Sequence, residues 1–545
     1  MKFKVLNVAA MGLFCLFLGG KAIAQSSDNA LAGYMARAPF KMPPVVVPTF
    51  SSKIFNIKDY GAIADGQTLN TVAIDKAINS CATAGGGTVL IPSGLWLTGP
   101  IELKSNVNLH TDRGAMVIFT TDHTQYPMID GRPKIQLSGN KLENVGITGE
   151  GIFDGGGDTW RPLKKIKAAP TLWNDLVKSG GAVSKDGSMY WPTTEAMGGE
   201  AYLKTLKDKS GLTEADYLPA RDFLRPTMVS ITNSKNVLID GPTFKNSPQF
   251  ALNPKNCTNL TIRNVTINNE YYAQNGDGID LSSCKNAIVF RCTVNAGDDG
   301  ICMKSSGNKG NEDTDPGLEN VLIADCIVNH AHGGFVIGSN TDGGMRNIYV
   351  TNCDFVNTDI GIRVKSARGR GGLVHNVYID HVFMHDILNE AVLFDTYYED
   401  DQKGAPTRTV PVDARTPRFT DFYISNIYCN NAKTAIAITG LPEMPINHIY
   451  LSDITISATR PFIAKEAANI SLKNVNILSP AETLVDVNDA DHITFDHIGF
   501  STATKTFISA SGNVASIEVL NTNLKNVSEP VKMDHQTDKN AVVIK

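Results

Sequence analysis

The sequence predicts an all-β fold: a single-domain, right-handed parallel β-helix with a short N-terminal capping helix and a long inserted loop region. Three observations predict it: a degenerate repeat, short strands without alternating helices, and turns rich in Asn, Asp and Gly. Each repeat starts with Asn or a similar residue, followed by three mostly apolar residues. The starting positions are 21 to 45 residues apart: Asn236, Asn259, Asn286, Asn320, Asn347, Asn376, Asp421, His448, Asn469 and His492. Such periods indicate a solenoid, whose coils are stable only when stacked.

The strands of the repeat are short and rich in Ile, Val, Thr and Tyr, as in residues 320–326 and 347–353. No stretch of helical periodicity is long enough to alternate with them, which excludes an alternating α/β barrel. We therefore expect each coil to bury its Ile, Val and Cys side chains against the coils above and below.

A solenoid of this kind needs a cap over its first coil. From Thr71 to Thr83, the apolar residues Ile74, Ala77, Ile78 and Cys81 follow the i, i+3, i+4, i+7 spacing of an amphipathic helix. We predict that this helix covers the N-terminal end.

The remaining organisation follows from composition. Residues 1–24 have a basic start, an apolar run and a small-residue cleavage pattern, which predict a signal peptide and therefore a periplasmic or extracellular protein. Residues 25–50 are predicted to be an extended, proline-containing leader, and residues 51–545 the β-helix domain. Between about 156 and 225 the repeat is interrupted by an insertion far longer than an ordinary loop.

Charge and cysteine content narrow the function classes. Loss of Lys2, Lys4 and Lys21 with the signal peptide changes the formal net charge from −5 to −8. We expect no nucleic-acid partner and no membrane anchor. Any polyanion would need a local cationic patch, which Arg363, Lys365, Arg368 and Arg370 are expected to supply. Export permits disulfides, but the repeat cysteines occupy inward positions, so mostly free, buried thiols are expected. No CxxC or His-rich spacing suggests a metal, and no cofactor is expected.

Four short segments have similar offsets from the start of their own repeats. Asp277 lies 18 residues on, Asp298 and Asp299 lie 12 and 13 on, His332 lies 12 on, and Arg363 and Lys365 lie 16 and 18 on. Similar offsets predict similar places on four successive coils, along a groove of roughly 14 Å for strands about 4.8 Å apart.

The side chains in this groove indicate a particular chemistry. Asp298 and Asp299 can face the same way only if the strand bends, which Gly297 and Gly300 would permit. Three close carboxylates cannot all ionise easily, so at least one should have a raised pKa and act as a proton donor while another activates water. An acid and a base are the minimal equipment of a glycosidase. The nearby cations, Arg363 and Lys365, favour an anionic substrate.

These residues resemble a known family. Asn275-Gly276-Asp277, Gly297-Asp298-Asp299, His332-Gly333 and Arg363-Val364-Lys365 are similar to the four ordered motifs of polygalacturonases, glycoside hydrolase family 28, and most similar to bacterial exo-acting members. The resemblance implies inverting hydrolysis of α-1,4-galacturonosyl bonds in pectin, without a cofactor.

Site roles follow from the same resemblance. Asp298 would be the general acid, Asp277 and Asp299 would hold and deprotonate water, and His332 would support the acid. The cations Arg363 and Lys365 would bind a galacturonate carboxylate. The candidate set is catalytic Asp277, Asp298, Asp299 and His332, with substrate-binding Asn275, Arg363, Lys365 and Tyr398.

Several alternatives remain open at this level. The insertion could close one end of the groove and make the enzyme exo-acting from the non-reducing end, or it could only stabilise the solenoid. Gly276, Ala331 and Val364 differ from the usual family residues, which leaves the pectic polymer open. An endo-polygalacturonase, a rhamnogalacturonan hydrolase, a Ca²⁺-dependent pectate lyase and a non-catalytic glycan-binding β-helix are the other readings. In each enzymatic case we expect a monomer acting on a pectic polysaccharide or oligogalacturonide.

Overall fold

The structure is a computed structural model that describes residues 29–307, 313–399 and 408–545. The chain divides into two units, Met1–Pro43 and Pro44–Lys545. In the first unit, residues 29–37 are helical, so the prediction of an extended leader over residues 25–50 is wrong for this stretch, whose Ala, Leu, Met and Arg residues favour a helix. The predicted signal peptide lies outside the described residues. The second unit is a right-handed parallel β-helix, as predicted.

Each coil of the β-helix contributes strands to three parallel faces. The cleft face carries the predicted site, and its strands are Ile101–Glu102, Leu137–Asn140, Val229–Thr232, Ile279–Ser282, Asp299–Lys304, Gly333–Ile337 and Ile362–Lys365. The asparagine face contains Ile54–Asn56, Gly87–Ile91, Val107–Thr111, Glu143–Gly149, Lys235–Asp240, Thr258–Arg263, Lys285–Phe290 and Leu318–Ala324. The third face contains Gly94–Thr98, Ala115–Phe119, Ile152–Asp154, Thr243–Lys245, Thr266–Asn268, Thr293–Asn295 and Ile327–Asn329.

Toward the C-terminus the corners between faces become continuous strands. The long strands are Met345–Val356, Leu373–Asp395, Phe422–Thr439, Ile446–Leu478 and Thr483–Asp496. Shorter strands complete the stack: Arg418–Phe419, Gly499–Phe500, Thr506–Ser511, Ala515–Leu520, Glu529–Met533 and Val542–Ile544. The parallel register continues through them, so the solenoid extends well past the predicted site.

The starting residue of each repeat has a structural reason. All ten starting positions have φ between 51° and 57°, in the left-handed region that Asn and Asp tolerate better than other non-glycine residues. The Asn259 amide nitrogen donates to Asn236 Oδ1 at 2.9 Å, and Asn347 donates to Asn320 Oδ1 at 2.9 Å. The left-handed turn is thus common to all ten repeats, and this asparagine ladder ties the coils that start at Asn259, Asn320 and Asn347 to the preceding ones.

The interior is filled by the inward-facing residues of every coil. Cys292, Cys326 and Cys353 lie directly above one another, since the strands that follow them pair in register. All eight cysteines within the described residues are free and buried. The prediction of free, buried thiols is therefore confirmed for these residues.

The predicted cap is present with the predicted bounds. A helix runs from Thr71 to Thr83, and its own residues Ile74, Ala77, Ile78 and Cys81 are buried. It packs against the first strands of the asparagine face, where the apolar end of the stack would otherwise be exposed.

The insertion replaces one coil's regular path with helices and a small antiparallel sheet. Its helices are Pro170–Ser179, Thr194–Lys204, Glu214–Tyr217 and Arg221–Leu224, its 3₁₀ turns are Gly157–Thr159, Lys165–Lys167 and Leu218–Ala220, and its strands are Leu163–Lys164, Ala182–Val183 and Met189–Trp191. Outside it lie 3₁₀ turns Ile57–Tyr60 and His123–Gln125 and the hairpin Met128–Ile129 with Arg132–Pro133. No helix within the described ranges is long and apolar enough to cross a membrane.

Two buried arginines clamp the ends of the insertion to the β-helix. Arg161 donates to Asn246 Oδ1 at 3.0 Å and to the Ser247 carbonyl. Arg225 donates to the Gln274 carbonyl and to Asn275 Oδ1, each at 2.8 Å. Burial lowers the pKa of both guanidinium groups to about 10. The insertion is thereby fixed to the loops that lead into the cleft face.

The asparagine ladder can be tested at Asn347. An Asn347→Ala variant loses the side-chain hydrogen bond and forces alanine into a left-handed conformation, so we expect a loss of about 1–3 kcal/mol in unfolding free energy. Asn347→Gly loses only the hydrogen bond and should be less destabilised. Thermal and urea unfolding of the two variants measure this, and a glycine variant less stable than the alanine variant would contradict the conformational explanation.

Candidate active site

The four sequence motifs lie on consecutive strands of the cleft face. Ile279 pairs with Ile301, Ile301 with Phe335, and Phe335 with Ile362. The motifs stand at or just before these strands, so they occupy four successive coils, as their similar offsets predicted.

The three carboxylates come together at the start of these strands. Asp277, Asp298 and Asp299 each have an oxygen within 4.8 Å of the other two. The chain bends at Gly297, where a Cβ would lie 2.3 Å from the Ala273 carbonyl oxygen, so only glycine fits. The Asp298 side chain is 18% exposed, whereas those of Asp277 and Asp299 are 5% and 3% exposed. Asp298 is therefore the carboxylate that a bound molecule can reach most directly.

Asp299 is held as an anion by two cations from the fourth coil. Lys365 Nζ lies 2.8 and 3.1 Å from its two oxygens, and Arg363 Nη1 lies 3.4 Å from Oδ1. Burial alone would raise the pKa of Asp299, but the attraction of Lys365 and the other cations outweighs burial and holds the pKa below its usual range.

Asp277 has the opposite tendency. Burial, together with the neighbouring Asp280 carboxylate, raises the pKa of Asp277 well above its usual value, although Lys304 Nζ lies 3.3 Å from Oδ2. Lys304 also forms an ion pair with Asp280, which is fully buried. The sequence interpretation did not include Lys304 or Asp280. The strand register could have indicated them, because Lys304 and Lys365 occupy the same outward column.

Asp298 accepts a hydrogen bond from His332, whose Nδ1 lies 3.0 Å from Oδ1. Burial raises the pKa of Asp298, but the bond from His332 outweighs burial, so the pKa lies below its usual value. The raised pKa predicted for one of the three carboxylates is thus found on Asp277. In the free protein it is not found on Asp298, the residue expected to be the acid.

His332 has partners that the sequence interpretation missed. Lys167 Nζ lies 2.7 Å from its Nε2, and Asp359 Oδ2 lies 3.5 Å from the same nitrogen. Lys167 belongs to the insertion, 165 residues away in sequence, and nothing in its local sequence indicated this contact.

The predicted substrate-binding residues surround the carboxylates. Asn275 accepts from Arg225. The Tyr398 ring faces the Lys365 and Arg363 cations, at 4.7 and 5.4 Å from its centroid. Lys365 is paired with Asp299 and is only 5% exposed. Arg363 is 15% exposed, and its buried Nε has no partner within the described residues.

The predicted cationic patch is smaller than the sequence suggested. Arg368 forms a two-point ion pair with Glu443, at 2.7 and 3.0 Å. Arg370 lies 3.2 Å from Glu399. Because Glu443 neutralises Arg368, that residue does not contribute to the patch, and this part of the prediction is wrong.

A cavity of about 630 Å³ lies on the N-terminal side of the carboxylates. Its lining includes Phe250, Arg132, Arg225 and Lys255, and Phe250 also faces Lys304 at 5.2 Å. The hairpin Met128–Pro133 forms one wall. Glu214 of the insertion accepts from the Asp130 and Gly131 amides at 2.8 and 3.1 Å and so holds this wall in place.

The carboxylate cluster also has the composition of a cation site. Its three oxygens would suit a hard divalent ion. However, Lys304, Lys365 and Arg363 already contact two of the three carboxylates and balance their charge. A divalent ion would meet this positive field, so the arrangement suits acid–base chemistry better than metal binding.

Lys304 should be essential for the stability of this site. Lys304→Met leaves Asp277 and Asp280 buried without their cation, which we expect to cost about 3–5 kcal/mol at neutral pH. Both carboxyls have raised folded-state pKa values, while the unfolded value is about 3.9. The destabilisation should therefore shrink as pH falls from 8 to 5 and the carboxyls are protonated. Urea unfolding at several pH values measures it, with Lys235→Met on the asparagine face as the control, and a pH-independent loss would contradict the electrostatic cause.

Comparisons with known proteins agree with this site. A family model described as glycosyl hydrolases family 28 matches residues 220–467, which include all four motifs. A second, described as rhamnogalacturonase A/epimerase, pectate lyase-like, matches residues 54–148. The exo-poly-alpha-D-galacturonosidase of Dickeya chrysanthemi is 27% identical over 448 residues, covering 78% of this chain and 70% of that protein. An endo-polygalacturonase of Pectobacterium carotovorum subsp. carotovorum is 27% identical over 349 residues, covering 62% and 74% of the two chains.

Solved structures extend the similarity to the whole β-helix. A hyperthermoactive exopolygalacturonase from Thermotoga maritima has a TM-score of 0.62 and 28% identity, covering 76% of this chain and 89% of that chain. A family 28 exopolygalacturonase of Yersinia enterocolitica has a TM-score of 0.56 at 21% identity, covering 90% and 79%, and shares the fold. The family match over the coils that carry the carboxylates, together with these relatives, shows that the chain contains a glycosyl hydrolase family 28 domain and is a glycoside hydrolase similar to bacterial exo-polygalacturonases.

Proposed function

We propose that the protein hydrolyses α-1,4-galacturonosyl linkages of homogalacturonan or its oligomers, from the non-reducing end. The main support for this proposal is a cluster of three carboxylates, balanced by cations, that lies beside a cavity with a hairpin as one wall. The exo-acting relatives from Dickeya chrysanthemi and Thermotoga maritima support the same substrate class and mode of action.

Asp298 is the proposed general acid. Its greater exposure lets it reach a glycosidic oxygen, whereas Asp277 and Asp299 are nearly buried. In the free protein the His332 hydrogen bond favours its ionised form. A galacturonate carboxylate bound nearby, with water excluded, would raise the pKa of Asp298 and load the proton that the leaving group needs.

Asp277 and Asp299 are the proposed water-binding pair. They come from adjacent strands, so their carboxyls can hold one water between them. Because Asp299 is kept ionised by Lys365, it can take a proton from that water, while Asp277, with its raised pKa, can donate a hydrogen bond to it.

This pairing favours inversion of configuration. The carboxylates are closer together than the roughly 6.5–9.5 Å usual for inverting glycosidases. Inversion is therefore inferred from the ion pairs of these carboxylates and not from their spacing. A retaining mechanism needs a free carboxylate nucleophile. Asp299, which contacts Lys365 and Arg363, is poorly suited to that role.

Arg363 is the proposed main ligand for the galacturonate carboxylate next to the cleaved bond. It is more exposed than Lys365, and its contact with Asp299 is long at 3.4 Å. Lys365 supports this role indirectly, because it neutralises Asp299 and leaves the guanidinium charge available. Tyr398, beneath both cations, can present its ring to a sugar.

The cavity supports exo action. Arg132 and Lys255 line it, and neither has an acidic partner within residues 29–307, 313–399 and 408–545. Burial, and then the nearby Arg132, lower the pKa of Lys255. Such a shift is expected where two cations face the same cavity, and their combined positive charge suits an anion. The hairpin wall held by Glu214 limits how far a polymer can extend past this point.

We also propose that the chain is exported by the signal peptide at residues 1–24 and acts as a monomer. Export would bring the enzyme to its polymeric substrate, and the apolar core of the stack is closed at its N-terminal end by the Thr71–Thr83 helix.

A time course of products from polygalacturonic acid tests the proposed reaction. We expect one short product from the earliest time and no ultraviolet-absorbing unsaturated ends. In proton NMR spectra of the reaction, the β-anomer of the product should appear before the α-anomer. Asp298→Asn should lower kcat by roughly 10²–10⁴-fold, the usual contribution of a general acid, without loss of folding.

The other outcomes identify the competing functions. Mixed oligomers from the start would indicate endo action, and an α-anomer would indicate retention. Absorbance that is lost with chelator would indicate a lyase. Activity confined to rhamnogalacturonan would change the substrate, and retained glycan binding without any hydrolysis would indicate a non-catalytic protein.

The cavity makes a separate prediction about substrate affinity. Lys255→Met should raise KM for oligogalacturonides by roughly 10- to 150-fold, since a hydrogen bond to a charged group contributes about 1.5–3 kcal/mol, and should change kcat little. Lys235→Met removes the same charge from the asparagine face and serves as the control. An unchanged KM in the Lys255 variant would show that the terminal sugars bind elsewhere.

A further inference from the structure

We propose that Lys167 of the insertion is a positioning residue, which fixes the His332 ring with its proton on Nδ1, facing Asp298. The inference rests on the proposed function for its effect on catalysis, but its geometric part concerns the free protein alone. Through Lys167, the insertion orients a side chain of the active site in addition to bounding the cleft.

Lys167 is held at one place by several contacts. It ends the short turn Lys165–Lys167, and its Nζ lies 2.7 Å from His332 Nε2, 3.3 Å from the Gly297 carbonyl and 3.4 Å from the Tyr271 carbonyl. The same ammonium group lies 4.6 Å from the centre of the Tyr271 ring. Three acceptors for the three hydrogens of an ammonium group define its orientation.

These contacts determine which nitrogen of His332 carries the proton. An ammonium group only donates hydrogen bonds, so Nε2 must accept the bond from Lys167. In the neutral ring the proton then resides on Nδ1, which lies 3.0 Å from Asp298 Oδ1 and donates to it. The Asp298 carboxylate is thereby oriented by a ring that is itself oriented from the other side.

Asp359 provides the alternative that Lys167 prevents. Its Oδ2 lies 3.5 Å from His332 Nε2, so a ring with its proton on Nε2 could donate to Asp359 and would leave Nδ1 without a hydrogen for Asp298. The charged groups around Lys167 are Asp359, Asp298 and Lys164. Burial lowers the pKa of Lys167 more than the two carboxylates raise it. The two ring tautomers therefore have different partners, and the position of Lys167 selects one of them.

The consequence is a direct link between the insertion and the catalytic acid. Loss of Lys167 should free the His332 ring to turn its proton toward Asp359, and Asp298 should lose both its orientation and its hydrogen bond. The effect should fall on the chemical step, because Lys167 contacts His332 and the loop at Gly297, not the Lys255 cavity.

Lys167→Met tests this, since methionine keeps most of the side-chain length but cannot donate. In protein labelled with ¹⁵N-histidine, the His332 signals should change from an Nδ1-protonated to an Nε2-protonated pattern, with the assignment made by His332→Gln. On a trigalacturonate substrate, kcat should fall roughly tenfold or more while KM changes little. The alkaline limb of the kcat pH profile, which reports loss of the Asp298 proton, should move to higher pH, because the His332 hydrogen bond that lowers the pKa of Asp298 is lost. Lys165→Met, in the same turn and facing Trp173 at 5.6 Å, is the matched control and should leave all three unchanged.

The results separate the possible roles of Lys167. An unchanged His332 tautomer in a folded Lys167→Met variant overturns the proposal. A rise in KM with unchanged kcat also overturns it and makes Lys167 a substrate ligand. Recovery of the Nδ1-protonated pattern in Lys167→Arg, which restores a donor, supports it. If the wild-type protein does not cleave galacturonan, the proposed function fails, while the NMR comparison in the free protein still decides the tautomer.

Discussion

The parallel register between successive coils is the constraint on which the rest of the structure depends. Each coil repeats the same path at the strand spacing of about 4.8 Å, so a residue's place within its repeat determines its place on the surface. The asparagine ladder supports this register, because every starting residue takes the left-handed turn, and Asn259, Asn320 and Asn347 each donate to the starting residue before it. Residues far apart in sequence thereby become neighbours in a column, and the site consists of such neighbours.

Charge along one column of the cleft face shows how the site is balanced. Lys255, Lys304 and Lys365 share an outward column, separated by Ser282 and Gly338. Lys365 is paired with Asp299 and Lys304 with Asp277 and Asp280. Lys255 faces the cavity. The same residue type therefore has two environments: two lysines are paired with buried carboxylates, and the third lines the cavity in which we propose that an anionic ligand binds.

The insertion is integrated with the site at several points. Arg161 and Arg225 fix its two ends, Glu214 holds the hairpin that walls the cavity, and Lys167 reaches His332. A segment that only stabilised the solenoid would not need to contact the catalytic loops. Under the proposed function, one departure from the repeat would both limit the length of the cleft and orient the acid Asp298.

The sequence by itself determined the coil repeat, the Thr71–Thr83 cap, the position of the insertion and the four motifs on successive coils. It could do so because solenoid periodicity and helix spacing are local properties, and similar offsets become similar positions once coils stack. The partners of each charge were decided only by the tertiary structure. Asp277 has the raised pKa, Arg368 is neutralised by Glu443, and His332 contacts Lys167 from the insertion. Burial and distance set these outcomes, and neither quantity is encoded in the spacing of residues along the chain.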